Sequence, residues 1–452
     1  MLVMLTVTPL AAILPTIADY FGVSADVAGW VPTAYLMTLT SLLLVSGRLG
    51  DLYGHRNVYL AGIILFTVVG TASGLSQNID MLIVFRMLQG VAAALISGNS
   101  LAIITNTFSV KERGTAVGII AMSASMGGIL GVSLSTSMAQ YLDWRWLFYL
   151  TLPVGLVGII TARYLQGPLP PEKPPKIDYL GAVILAIILI AFSLSFNHLH
   201  PAGVSLPTGW HYNAALLAVI AGGLLLFVVV ERRAAQPLIE LSYLLDAPFA
   251  FSIISNQILH MTMMASSFLM PFLLEKGLGL SPSHTAGIVI SLSSGAVIAS
   301  PLSGRIYDRT GWRFFCPLAM TLVCLGMGTM ALFAPTMPYP LIMLTAFTLG
   351  LATGSFNTPN NVIIMSTTPA DRRGFAAGML ETSRQFGHTV GVSISSAVLG
   401  AALLSTPIDV PKSAAFIIGY RQSCLFVSSI ALLGILASLV PALWRREHNW
   451  IR

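Results

Sequence analysis

Ser46-Gly47-Arg48-Leu49-Gly50-Asp51-Leu52-Tyr53-Gly54-His55-Arg56 returns 257 residues later as Ser303-Gly304-Arg305-Ile306-Tyr307-Asp308-Arg309-Thr310-Gly311-Trp312-Arg313. A second correspondence has a spacing of 260: Arg113-Gly114, Gly118, Gly127 and Gly131-Val132-Ser133 match Arg373-Gly374, Gly378, Gly387 and Gly391-Val392-Ser393. The chain is therefore two related halves. Hydrophobic residues make up 55% of it and charged residues 9%, with a mean hydropathy of +0.82. A soluble domain carries about a quarter charged residues, so this chain cannot cover a soluble surface and belongs in a bilayer. Duplication in an apolar chain is the pattern of secondary transporters, in which a substrate site lies between halves that rock.

A helix needs about 20 apolar residues to cross the hydrocarbon core. Fourteen stretches qualify as candidates: 1–20, 29–48, 57–76, 81–106, 115–138, 146–166, 178–197, 212–231, 248–273, 284–304, 314–334, 339–364, 375–402 and 422–444. The repeat pairs the first six with the last six. The expected fold class is an all-α membrane protein with 14 transmembrane helices as 6 + 2 + 6 in two pseudo-symmetric halves. The expected division is 1–166 for the N-terminal half, 167–244 for a Pro-rich linker and inserted hairpin, and 245–452 for the C-terminal half.

Cytoplasmic loops hold the excess of Lys and Arg. One side carries 17 basic residues and the other four, namely Arg145, Lys276, Lys412 and Arg421. That asymmetry places both termini in the cytoplasm and assigns the net charge of +6 to topology rather than to nucleic acid. The chain starts inside its first span without a basic tail, which reads as a poor signal peptide and as a shortened or misassigned start. Cys316, Cys324 and Cys424 fall in apolar stretches, which argues against a disulfide framework.

These residues resemble the major facilitator superfamily, and within it the fourteen-span drug:proton antiporter branch of the EmrB/QacA type. Gly47–Arg56 resembles the signature between spans two and three, and Arg86-Met87-Leu88-Gln89-Gly90 the signature of span four. Trp144-Arg145-Trp146-Leu147-Phe148 with Leu152-Pro153 resembles the start of span six, and Thr382-Ser383-Arg384-Gln385-Phe386-Gly387 a late-helix motif of the branch. The resemblance covers nearly the whole chain. It implies the major facilitator fold, proton-coupled efflux, multidrug resistance, a bacterial inner membrane and a periplasmic adaptor subunit as partner. Two positions depart from the branch. Thr6 stands where an acidic residue is usual in span one, and Gly131-Val132-Ser133-Leu134-Ser135-Thr136 keeps only the first glycine of the antiporter motif.

Seven residues form a candidate conformational clasp: Gly47, Arg48, Asp51, Gly54 and Arg56, with Asp308 and Arg309 in the second copy. The glycines permit a tight turn, and Asp51 can accept hydrogen bonds from an arginine or a helix N-terminus. The alternative is a solvated turn that only fixes topology. Arg86 lies inside span four, where a charge costs roughly 2.5–3.5 kcal/mol on insertion scales. It reads as a cavity residue, or as a snorkelling or structurally paired arginine near the outer end of the span.

Glu381, Arg384 and His388 follow i, i+3, i+7 spacing on one face of span thirteen. They are the candidates for proton coupling, against a structural Glu–Arg pair and a hydrogen-bonded histidine. Asn99, Asn256, His260, Asn357 and Asn360 join Arg86 as cavity or substrate candidates. A mostly apolar cavity with few polar groups, flanked by Met261, Met263 and Met264, suits an amphipathic or lipophilic ligand. Ordinary interhelical hydrogen bonding is the competing account. Gly127/Gly131 and Gly387/Gly391 are small-xxx-small pairs for close helix contact. His198, His200 and His211 lack accompanying Cys or carboxylate, so no metal site is expected.

No Walker A loop, HExxH, Gly-x-Ser-x-Gly or Cys-x-x-Cys occurs, so an enzyme is not expected and no cofactor is implied beyond a proton as coupling ion. The expected function is proton-coupled export of a lipophilic small molecule. The alternatives are a facilitator or importer of a specific metabolite, favoured by Thr6 and the altered span-five motif, and a non-transporting membrane partner.

Overall fold

The computed structural model describes residues 2–23, 25–107, 123–124, 126–131, 134, 143–164, 179–197, 206–233, 243, 245–368, 373–407 and 409–444. In chain order the helices are α1 (Met4–Phe21), α2 (Ala25–Tyr53), α3 (His55–Ser73), α4 (Ile79–Thr107), the short α5 (Trp146–Tyr149), α6 (Thr151–Ala162), α7 (Tyr179–Asn197), α8 (Leu206–Arg233), α9 (Ala247–Pro271), α10 (Pro282–Thr310), α11 (Phe315–Phe333), α12 (Tyr339–Ser366), α13 (Arg373–Ser405) and α14 (Lys412–Trp444). Among the described residues, 10 helices hold a stretch long and apolar enough to cross a membrane. Of the fourteen expected spans, that at 1–20 falls on α1, which has 18 residues. Those at 146–166 and 178–197 fall on the shorter apolar helices Trp146–Ala162 and Val183–Phe192. Most of 115–138, with Val132, Ser133, Lys111 and Arg113, lies outside the described residues, as do 165–178, His198 and His200.

The helices form two compact units. One comprises Met1–Leu241 with Ala377–Thr382, and the other Ser242–Ala376 with Ser383–Arg452. In the first unit α2, α3 and α4 pack together, and the α7–α8 hairpin lies on α2 through Leu185 against Leu44. Ile184 and Ile188 of α7 meet Phe227 of α8. Elsewhere α8 turns apolar side chains such as Leu217 and Leu225 outward, as a lipid-facing helix does. At one end, Arg145 ties helix termini together. It donates to Tyr20 Oη at 3.1 Å and to Ser76 O at 3.3 Å, and pairs with Asp143 at 3.2 Å. Partial burial acts to lower its pKa, but Tyr20 and Asp143 outweigh that and raise it.

The second unit has its core along α9, α11, α12 and α14, around Leu259, Met320, Met327, Ala346 and Leu349. Pro271 has no backbone N–H to donate, and α9 ends there in a π-helical turn over Phe272–Gly277.

Contacts as well as sequence repeat between the units. A Cβ at Gly90 would strike Tyr35 O, and one at Gly350 would strike Leu292 O. A Cβ at Gly131 would meet Leu5 O, and one at Gly391 would strike Met261 O. In each pair the two sites are repeat equivalents. Glycine is required because backbone lies against backbone.

The Gly47–Arg56 stretch is not a loop. Helix α2 continues through Tyr53, Gly54 alone forms the turn at φ 86°, and α3 begins at His55. Its repeat does the same: α10 continues to Thr310 and Gly311 turns at φ 57°. Helix persists because nothing before these glycines breaks it. The left-handed turn then needs a residue without Cβ.

Candidate functional site

The first unit buries one arginine. Arg86 of α4 is 0% exposed. Its Nη1 donates to Gln89 Oε1 at 2.7 Å and its Nε to Val31 O at 3.3 Å. The guanidinium sits over the Tyr35 ring at 4.2 Å from the centroid, a cation–π contact. Arg86 therefore does not snorkel. It is held inside the unit by α2 and by its own helix.

Asn99, also on α4, lies further along against α2 and α3. Its Nδ2 donates to Ser46 O and Ser46 Oγ, each at 3.1 Å, and His55 Nδ1 donates to its Oδ1 at 2.7 Å. A Cβ at Gly50 would collide with both Asn99 Oδ1 and His55 Nδ1, so this glycine makes room for the link. Asn99 thus works as a cross-link between helices. Arg56 donates from Nη2 to Arg163 O at 2.6 Å and from Nε to Ala162 O at 3.4 Å, closing the C-terminus of α6. A Cβ at Gly47 would lie 3.7 Å from Gly98 O, an ordinary contact. The side chains of Arg48, Asp51 and Asp308 lie outside the described set, and Arg309 is exposed.

The second unit gathers a different set. His260 of α9 stands between α12 and α13. Its Nδ1 is 3.2 Å from His388 Nε2, and its Nε2 is 3.2 Å from Asn357 Oδ1. His388 Nδ1 is 3.3 Å from Gln385 Oε1. The two imidazole rings meet edge to face, with centroids 5.1 Å apart. Arg384 lies close enough for its charge to act on His260. Nearby, Asn256 donates to Ser383 Oγ at 3.4 Å, and Ser383 donates to Ile253 O at 2.9 Å. Asn360 donates to Ser252 O at 3.3 Å, and Thr353 meets Met263 Sδ at 2.9 Å. His260, Asn357 and His388, expected separately as cavity and coupling residues, are thus one chain of contacts. Arg384 and Glu381 are half-buried on α13.

The pattern of the Major Facilitator Superfamily matches residues 1–392. The chain belongs to that family. Among its relatives, the riboflavin transporter RibZ of Clostridioides difficile is 25% identical over 430 residues, covering 94% of this chain and 91% of that one. The multidrug resistance protein Stp of Mycobacterium tuberculosis is 30% identical over 398 residues, covering 87% and 72%. The tetracenomycin C resistance and export protein of Streptomyces glaucescens is 27% identical, covering 91% and 75%. The solved structure of the human organic anion transporter MFSD10 superposes with a TM-score of 0.66 at 15% identity, covering 97% of this chain and 96% of that one. At that identity it shows the fold alone. Membership of the superfamily makes the chain a multi-pass membrane transporter with a small-molecule substrate and a lipid surround.

Several partners escaped the sequence reading. Gln385 and Ser383 sit inside a quoted motif, yet nothing in one helix's spacing pairs them with α9. Tyr35 and Gln89 flank Arg86, and the need of a buried charge for company was the available signal. Glu231 of α8, 3% exposed, is a buried carboxylate that the sequence reading did not single out, whereas Glu381 is half-buried. Among the described residues, no group of three or more His, Cys, Asp or Glu could hold a metal ion.

Proposed function

We propose that this superfamily member is a secondary active transporter that exports lipophilic or amphipathic small molecules in exchange for protons, by alternating access. The observation that carries the reading is the His260–His388 pair. Two imidazoles, side chains able to carry a proton, are joined ring to ring on membrane-spanning helices of one unit. Glu381, Arg384 and His388 are the coupling groups in this reading, and His260, Asn256, Asn357 and Asn360 line the route beside them. The relatives named for multidrug resistance and for tetracenomycin C export support the direction.

The same reading includes fourteen spans as 6 + 2 + 6, with α7 and α8 as the inserted hairpin of a 167–244 segment. It places both termini in the cytoplasm of a bacterial cell and allows for a periplasmic adaptor. Each rests on the basic-residue asymmetry and on resemblance to the EmrB/QacA branch.

A second reading, uptake or facilitated movement of one metabolite, is favoured by Thr6 in place of an acid. The near full-length match to a riboflavin transporter supports it too.

Proton movement in proteoliposomes separates the two. On addition of lipophilic cations or neutral drugs, export predicts proton flux that Glu381→Gln abolishes while substrate still binds. Substrate movement without protons would replace antiport by facilitation.

A further inference from the structure

The Arg86 layer of the first unit holds more hydrogen-bond donors than the described residues supply acceptors for. Arg86 Nη2, Gln89 Nε2 and Tyr35 Oη are all buried without a hydrogen-bond partner. They belong to one cluster, since Arg86 bonds Gln89 and lies over Tyr35. The partners of the guanidinium are a neutral amide, a backbone carbonyl and an aromatic ring, with no carboxylate among the described residues.

Helix α1 adds no acidic residue at this level either, its Asp19 being exposed near the other end of the helix. Leu10, Val31 and Leu82 form one apolar cluster joining α1, α2 and α4. One turn further along each helix, in the same direction, stand Thr6, Tyr35 and Arg86. Thr6 is 0% exposed, and its hydroxyl donates to Val3 O at 3.2 Å.

Packing does not require this polarity. At the repeat spacings, Tyr35, Arg86 and Gln89 correspond to Leu292, Ala346 and Leu349. Ala346 and Leu349 lie in the apolar core of the second unit, with Leu292 packed against it. The same fold position is thus filled with carbon in one unit and with three unsatisfied donors in the other. A buried cation without a counter-charge is costly, and the missing acceptor is the natural complement.

We propose that Arg86, Gln89 and Tyr35 form an anion subsite that receives the carboxylate of an amphipathic aromatic substrate. The free Nη2 and the amide of Gln89 donate to the carboxylate oxygens, and the Tyr35 hydroxyl supplies a third donor. Arg86 is closed to solvent in this conformation, so the ligand enters in the other state of the transport cycle. The proposal rests on the chain being a small-molecule transporter. It does not rest on proton coupling or on direction.

The test is equilibrium binding to the purified full chain in detergent, read by fluorescence anisotropy, with no ion gradient. The probes are fluorescein, which carries a carboxylate, and rhodamine 123, a cationic ester on a similar ring system. Fluorescein should bind more tightly. Arg86→Gln should weaken it about tenfold or more, the effect of losing a charge-assisted hydrogen bond, and shift rhodamine 123 less than about twofold. Thr6→Asp keeps Arg86 but adds a carboxylate to its layer. It should weaken fluorescein binding likewise and raise the melting temperature, which separates occupation of the subsite from misfolding. Absence of saturable fluorescein binding, preference for rhodamine 123, equal losses for both dyes in Arg86→Gln, or no effect of Thr6→Asp on fluorescein would each overturn the proposal. The proton-flux experiment is independent of these results.

Discussion

His260 and His388, on α9 and α13, share a single contact between ring nitrogens 3.2 Å apart, and each turns its other nitrogen to an amide oxygen, of Asn357 and Gln385 respectively. Amide oxygens only accept, so both outer ring nitrogens must donate, and one inner nitrogen must donate to the other. That requires three N–H groups on two rings, one more than two neutral imidazoles own. The arrangement is therefore complete when the pair holds one extra proton.

The first prediction follows from this count. Loss of the extra proton removes the third N–H and leaves one of the three contacts without a hydrogen. His388→Asn should flatten the dependence of transport on pH. The measurement is initial uptake into proteoliposomes at a series of pH values. An unchanged profile would show that the pair does not titrate during transport.

The repeated glycines give the second. Gly391→Val would drive a branched side chain into the Met261 backbone, and Gly350→Val one into Leu292 O. Overpacking of this kind costs about 1–3 kcal/mol, and more where backbone is the obstacle. Lower melting temperatures in detergent are expected for both. Gly222→Val, at a position with nothing within 4 Å, should leave the melting temperature unchanged.

Gly54 and Gly311 supply the third. Each holds a positive φ, so Gly54→Ala and Gly311→Ala should each destabilise by about 1–2 kcal/mol, the left-handed penalty for an L-residue. Thermal unfolding of the two single variants and the double variant measures this. The sites lie in different units, so their effects should add.

Asn99 provides the fourth. Asn99→Leu removes the contacts to Ser46 and leaves the buried side of His55 without its acceptor. The expected loss is about 1–3 kcal/mol of stability, with substrate affinity unchanged in the protein that remains folded. Altered affinity at normal stability would return Asn99 to the substrate path.

The duplication was legible because it is written in glycines. Gly90, Gly131, Gly350 and Gly391 are spaced by the repeat and have matching backbone contacts. The helical character of α2 beyond Gly47 was less legible. A run with three glycines and an aspartate has the composition of a turn, and the packing of Gly47 and Gly50 against Gly98 and Asn99 of α4 is seen only in three dimensions. Among the candidate site residues, His260 and His388 were visible individually as polar residues on apolar helices. Their partnership was not, because nothing in either helix specifies the register of α9 against α13. Arg86 stood out as a misplaced charge, but Tyr35 and Gln89 look like ordinary members of their helices until Arg86 touches them.

Only Gly54 separates α2 from α3, and Arg56 at the start of α3 grips the last carbonyls of α6. That junction has no slack. A tilt of α2 cannot be absorbed by a slackening loop and must be passed to α3 and then to the end of α6, so the three helices answer to one lever. An insertion of a few flexible residues after Tyr53 would introduce backlash. The helices would still form, but movement of one would no longer dictate movement of the others.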